Sequence, residues 1–215
     1  MSQDQGAEVV LRLDRITKRF GALVANDHVN FTLGQGEIHA LLGENGAGKT
    51  SLLRLLVGLS PADAGEIHWR GALVGGMKIT PEAADFRREL LYLGHHAAVK
   101  DELDALENLR FSAAIDGLAF DQFKALAALQ RLGLRGREFL PVRVLSAGQK
   151  RRVLLARLLT RPAAVWVLDE AFNALDGDAV QLLGALLNEH LAAGGMAVLT
   201  SHQPLPLPVG RVLVL

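Results

Sequence analysis

The 215-residue sequence contains no cysteine, which excludes disulfides, thiolate metal centres and thiol nucleophiles. It has no net charge either, because 23 Lys and Arg balance 23 Asp and Glu. A general grip on nucleic acid needs clustered excess positive charge, so nucleic acid is not an expected partner. Long apolar runs are also missing. A stretch such as Ala163–Leu168 is short and bounded by Arg161 and Asp169, well below the roughly 20 residues that cross a bilayer. The opening MSQDQGAEVV has neither the basic start nor the apolar stretch of a secretory signal. The expectation is a soluble chain that other proteins must hold at any membrane where it works. Repeats, low-complexity tracts and long linkers are absent as well.

Half the residues are hydrophobic, enough for one well-buried domain with a small subdomain. Residues 9–14 and 27–33 read as strands, with Val29, Phe31 and Leu33 alternating on one face. Ile38–Leu42 is a short apolar strand, and a helix is expected from Lys49 to about Gly58, carrying Leu52, Leu53, Leu55 and Leu56. Gly65–Val74 resembles a hairpin. From about Pro81 to Thr160 helical spacing dominates, as in Leu103, Leu106, Leu109 and in Phe123, Leu126, Leu129. Two buried strands follow, Val165–Leu168 and Met196–Thr200, separated by a helical run, Ala179–Leu191. The alternation predicts a mostly parallel α/β sheet into which the helical block is inserted. Pro204–Pro208 is expected to end the fold locally.

The strongest local pattern is GENGAGKTS, Gly43 to Ser51, which fits G-x-x-x-x-G-K-[ST] between a strand and a helix. Gly43, Gly46 and Gly48 let backbone N–H groups turn inward around a polyphosphate without a Cβ in the way. Lys49 adds a point charge for the β- and γ-phosphates, and the helix N-terminus adds its dipole. Thr50 offers a hydroxyl to Mg²⁺ and Ser51 a further hydrogen bond. Chance alone yields this pattern in about one in a hundred chains of this length.

AVWVLDE places Asp169 and Glu170 at the end of an apolar strand. Ligands of parallel sheets lie at the carboxyl ends of strands, so both acids are expected near the glycine loop. Asp169 suits a role on Mg²⁺, and Glu170 can orient and deprotonate the attacking water of an in-line phosphoryl transfer. His202, after MAVLTS, ends a strand expected to neighbour the first, a position from which it is expected to reach the γ-phosphate. His28, His39, His68 and His190 have no metal-ligand spacing and read as structural. In LSAGQKRR, Leu145 to Arg152, Ser146, Ala147 and Gly148 open a helix. The basic residues that follow oppose the helix dipole, a conflict that an anionic ligand would relieve.

Taken in order, GENGAGKT, LSAGQ, VWVLDE, NALD and SH resemble the nucleotide-binding subunits of ATP-binding cassette (ABC) transporters over essentially the whole chain. The resemblance implies a P-loop NTPase α/β fold: a mostly parallel core sheet, an N-terminal antiparallel β subdomain and an inserted helical subdomain. The core would take about 1–80 and 161–215, the helical part about 81–160. It implies ATP and Mg²⁺ as cofactors, with Asn45 and Ala47 completing the loop, Phe20 stacking on adenine and Glu170 and His202 catalytic. Two copies would face head to tail, Ser146 and Gly148 of one touching the γ-phosphate held by Lys49 of the other. Asp176, in NALD, would belong to the loop crossing that interface. His96, beside His95, stands where the family has a glutamine near Mg²⁺, so Thr50, His96 and Asp169 form the implied metal set. Ala171 stands where the family usually has proline.

A finer resemblance is carried by GHHAAVKDELDALENLRF, LSAGQKRRVLLARLL and TSHQPLP, which are similar to the haem-exporter ATPases of cytochrome c maturation. It implies integral membrane partner subunits, a peripheral place on the cytoplasmic face of the inner membrane, and hydrolysis that drives release of a haem-loaded chaperone. KRFGALVAND and GEIHALLGENGAGKT look closer to importer ATPases for sugars or nucleosides, which remain the alternative. A soluble ABC ATPase of DNA repair or translation would need a long coiled coil or tandem cassettes, and this chain has neither.

Overall fold

In the computed structural model the described residues are 8–44, 46–76, 83–94, 98–173, 175–201 and 211–214. The chain divides into two compact units. The first comprises residues 1–92, 163–171 and 187–215, the second 93–162 and 172–186.

The first unit holds two sheets. Strands β1 (Val9–Phe20), β2 (Leu23–Gly34), β4 (Ala64–Trp69) and β5 (Ala72–Gly76) form an antiparallel sheet in the order β2-β1-β4-β5. β1 is longer than the sequence suggests, because register shifts along its pairing with β2 let it bend and continue. Phe31 and Leu33 are buried as their alternation predicts.

The second sheet has the order β6-β7-β8-β3-β9, with β3 (Ile38–Leu42), β6 (Leu90–Leu93), β7 (Val165–Leu168), β8 (Met196–Ser201) and β9 (Arg211–Val214). β3 runs parallel to β8 and β9, and β7 parallel to β8. β7 and β8 are buried throughout, which explains why they read as unbroken apolar runs. Helix α1 (Lys49–Leu56) buries Leu52, Leu53, Leu55 and Leu56, each at most 2% exposed. Such leucines stabilise by about 1.5–3 kcal/mol apiece, so this face locks the end of the glycine loop onto the core. Val57 and Gly58, at φ +71°, stop the helix.

Two expectations change here. The fold does not end at the proline stretch: Pro204–Pro208 lie outside the described residues, but β9 beyond them extends the sheet beside β3. Within the segment read as helical from about residue 81, helix α2 (Ala83–Arg88) is followed by strand β6, a neighbour of β7. Four apolar residues, LLYL, are too few for periodicity to separate strand from helix.

The second unit is helical, with α3 (Ala105–Ile115), α4 (Gln122–Arg131), a 3₁₀ turn (Val142–Val144), α5 (Ala147–Leu155) and α6 (Arg157–Thr160). The unit boundary falls inside α7 (Gly177–Ala192). Asp104 caps α3 in a reciprocal box with Glu107. Buried Asn108 bonds Lys100 N and the carbonyls of Lys100 and Asp104, fixing the preceding loop. In α4 the buried residues are Ala125, Ala128 and Leu129, whereas Phe123 is 85% exposed. Of the helically spaced Phe123, Leu126 and Leu129, only Leu129 is fully buried, and it packs together with Ala125 and Ala128.

Candidate active site

Gly43 to Gly48 connect the end of β3 to α1. Gly46 and Gly48 have φ of +88° and +86°, and a Cβ on Gly48 would collide with the Ala25 carbonyl oxygen. Only glycine fits there, so β2 presses directly on the loop. No side-chain hydrogen bond caps α1 among the described residues, and a helix start of this kind favours anionic oxygen ligands. Lys49 is 5% exposed, and its ammonium donates to the carbonyls of Gly43 (2.6 Å) and Glu44 (3.0 Å). The charge is thereby held over the loop rather than in solvent.

Asp169 follows β7 and is 1% exposed. The Thr50 hydroxyl donates to its carboxylate at 3.0 Å (Oδ2) and 3.3 Å (Oδ1), joining the glycine-loop helix to the carboxylate strand. A hydroxyl beside a carboxylate is a hard-oxygen donor pair of the kind Mg²⁺ prefers. Tyr92 is pushed above its ordinary pKa of 10.0, chiefly by burial and then by the Asp169 charge, so its phenol stays neutral.

Glu170 adopts φ +52°, an uncommon conformation outside glycine. Its N–H donates to the Thr200 hydroxyl at 2.8 Å, and that hydroxyl donates to Asp169 Oδ1 at 2.7 Å. Thr200 escaped the sequence reading, since only the register of β8 against β7 brings it beside the acid pair. A cleft of about 190 Å³ is lined by Phe20, Leu23, Ala25, Glu44, Gly46, Ala47, Gly48, Lys49, Thr50, Ser51 and Glu170. It brings the predicted aromatic, loop and carboxylate residues together, with Phe20 half exposed. Gly43 joins through Lys49 and Asp169 through Thr50. Asn45, His96 and His202 lie outside the described residues.

Ser146, Gly148 and Asp176 belong to the second unit. Ser146 N-caps α5: its hydroxyl accepts from Gln149 N at 3.3 Å, and Gln149 Oε1 accepts from Ser146 N at 3.0 Å. The basic residues after this cap have local acceptors. Lys150 pairs with Asp101 at 2.6 Å, and Arg151 donates to Gly94 O at 3.0 Å. Arg152 holds both oxygens of Asp176 at 2.6 Å. These contacts relieve part of the dipole conflict without any ligand. Asp176 also accepts from Ala179 N at 2.9 Å, opening α7. That bond first and Arg152 second hold its carboxyl below the ordinary value of 3.8.

The ABC transporter family model matches residues 26–173. A cytochrome c biogenesis ATP-binding export protein CcmA of Nitrosomonas europaea is 45% identical over 198 residues, covering 90% of this chain and 91% of that protein. The same-named protein of Dechloromonas aromatica is 48% identical over 184 residues, covering 86% and 88%. Among solved structures, an ATP-binding cassette captured as a dimer in a post-hydrolysis state with ADP and Pi superposes at a TM-score of 0.75. It is 25% identical, with 90% of this chain and 88% of that one covered. With the glycine loop, the Thr50–Asp169 contact and Glu170 in one unit, and likeness along nearly its full length, the chain belongs to the ABC transporter ATPases and, within them, to the CcmA family of cytochrome c biogenesis ATP-binding export proteins.

Proposed function

We propose that two copies of this chain bind two Mg·ATP between them and hydrolyse them to power the membrane subunits of a haem-export complex in cytochrome c biogenesis. The chain would sit peripherally on the cytoplasmic face of the inner membrane. No helix among the described residues is long and apolar enough to cross one. The observation that carries the reading is the Thr50–Asp169 hydrogen bond, with Glu170 lining the same cleft as Lys49.

In this reading the triphosphate lies along Gly43 to Gly48, its β- and γ-oxygens against the Lys49 ammonium, the α1 N–H groups and Ser51. Phe20, at the cleft margin, stacks on the adenine. Thr50 and Asp169, with His96 in place of the family's glutamine, are the residues that would hold Mg²⁺. Bound there, the ion would neutralise charge building on the β- and γ-oxygens. Glu170 takes a proton from water as the water oxygen bonds to the γ-phosphorus. The bond from that phosphorus to the β–γ bridging oxygen breaks, and ADP and Pi leave. His202 stabilises the γ-phosphate. Ser146 and Gly148 of the second copy complete the site across the interface, beside the loop carrying Asp176.

Glu170→Gln tests the reading, because it keeps size and polarity but cannot accept the proton. Turnover should fall about 100-fold or more, and ATP should now hold a stable dimer on gel filtration. Turnover at the wild-type rate would remove Glu170 as the base.

A further inference from the structure

Thr200 is the fifth residue of β8, is 1% exposed, and pairs with Leu41 of β3. The neighbouring pair Leu168↔Leu199 sets the register, so the next residue of each strand brings Thr200 level with Asp169. A hydroxyl has one proton to give and lone pairs to receive, and here both capacities go to the acid pair. The proton goes to Asp169 Oδ1 at 2.7 Å, and the oxygen receives the Glu170 N–H at 2.8 Å.

These bonds constrain two different things. The first fixes the rotation of the Asp169 carboxylate, whose other oxygen, Oδ2, lies 3.0 Å from the Thr50 hydroxyl. The second clamps the peptide between Asp169 and Glu170, the peptide that must turn for Glu170 to adopt φ +52°. A left-handed residue two positions beyond the end of a strand sends its side chain off the strand's alternating path. Glu170 needs that redirection to line the cleft that Lys49 also lines. A valine at position 200 would fill the same volume but supply neither bond.

We infer that Thr200 is a positioning residue for ATP hydrolysis: one hydroxyl sets both the orientation of the Asp169 carboxylate and the aim of Glu170. The inference rests on the roles given above to Asp169 and Glu170, and its test separates the two. Thr200→Val, Thr200→Ser and Glu170→Gln are compared in the purified full chain. The measurements are ATP turnover, the Mg²⁺ concentration for half-maximal rate, and affinity for a fluorescent ATP analogue in EDTA. T200V should lose about 10- to 100-fold in kcat, the scale of a misaimed catalytic group. It should need several-fold more Mg²⁺ while its affinity in EDTA stays within about two-fold of wild type. T200S, which keeps the hydroxyl, should return kcat to within about three-fold.

A packing role alone would lower thermal stability while leaving the Mg²⁺ requirement and kcat per folded molecule unchanged, and that result overturns the inference. T200V at wild-type turnover beside an inactive E170Q sinks the role of Thr200 and leaves Glu170 as the base. E170Q at wild-type turnover sinks the Glu170 assignment itself. Should T200V not fold, amide hydrogen exchange in the wild-type chain decides. A Glu170 N–H held by Thr200 exchanges slowly, and exchange at the rate of a free loop amide overturns the inference.

Discussion

Thr50 and Asp169 stand 119 residues apart in sequence, yet the threonine hydroxyl lies 3.0 Å from the aspartate Oδ2. Two motifs to which the proposed mechanism gives separate halves of phosphoryl transfer thus share one hydrogen bond. The bond defines the edge of the cleft where metal and γ-phosphate chemistry would meet. Asp169 accepts a second hydroxyl, from Thr200, so its carboxylate is oriented from both helix α1 and strand β8.

Asp169→Asn keeps the shape but removes the anionic oxygens. Turnover should fall by about 100-fold, while binding of an ATP analogue in EDTA changes little. Equal Mg²⁺ dependence in wild type and variant would show that Asp169 is not on the metal side of the site.

Gly48→Ala tests the loop's backbone requirement. The position has φ +86°, and its Cβ would strike the Ala25 carbonyl. Strain at such a position costs about 2 kcal/mol or more, so the urea midpoint should drop and nucleotide binding should be lost with it. A variant as stable as wild type would mean that β2 yields at Ala25 more readily than the geometry implies.

His190 offers a pH test away from the cleft. Its ring stacks on Trp166 at 3.9 Å and 5°, with Nε2 placed 3.1 Å from the Met196 carbonyl. Burial lowers its pKa below the ordinary 6.5, against the carbonyl bonds that favour the protonated ring. The folded state therefore binds this proton less readily than the unfolded chain does. Stability is full above about pH 6.5 and declines as pH falls from there toward the folded value. His190→Gln should remove that part of the decline. Urea midpoints at pH 7.5 and 5.5 measure it, and equal slopes in wild type and variant would refute it.

The parts legible in the sequence were those with local causes. GENGAGKTS announces its own conformation, because its glycines permit the positive φ that Gly46 and Gly48 adopt between a strand and a helix. AVWVLDE likewise shows an apolar strand ending in two acids. What stayed hidden depends on pairing between distant segments. Thr200 becomes a partner of Asp169 only through the β7–β8 register. β6 is four apolar residues that take their identity from lying beside β7. The acceptors of Lys150 and Arg152, Asp101 and Asp176, are 49 and 24 residues away, so the charge conflict at the start of α5 looked larger than it is. In α4 small alanines take the buried face, and the large Phe123 that drew attention to the helix does not.

Arg151 ties α5 to a carbonyl of the main chain, Gly94 O, at 3.0 Å. An acceptor of that kind is offered by every amino acid, so the tether reads where the backbone runs and is blind to the residue attached. The tether therefore places no demand on the side chains that follow Gly94 in the sequence, and exchanging them leaves its acceptor in place.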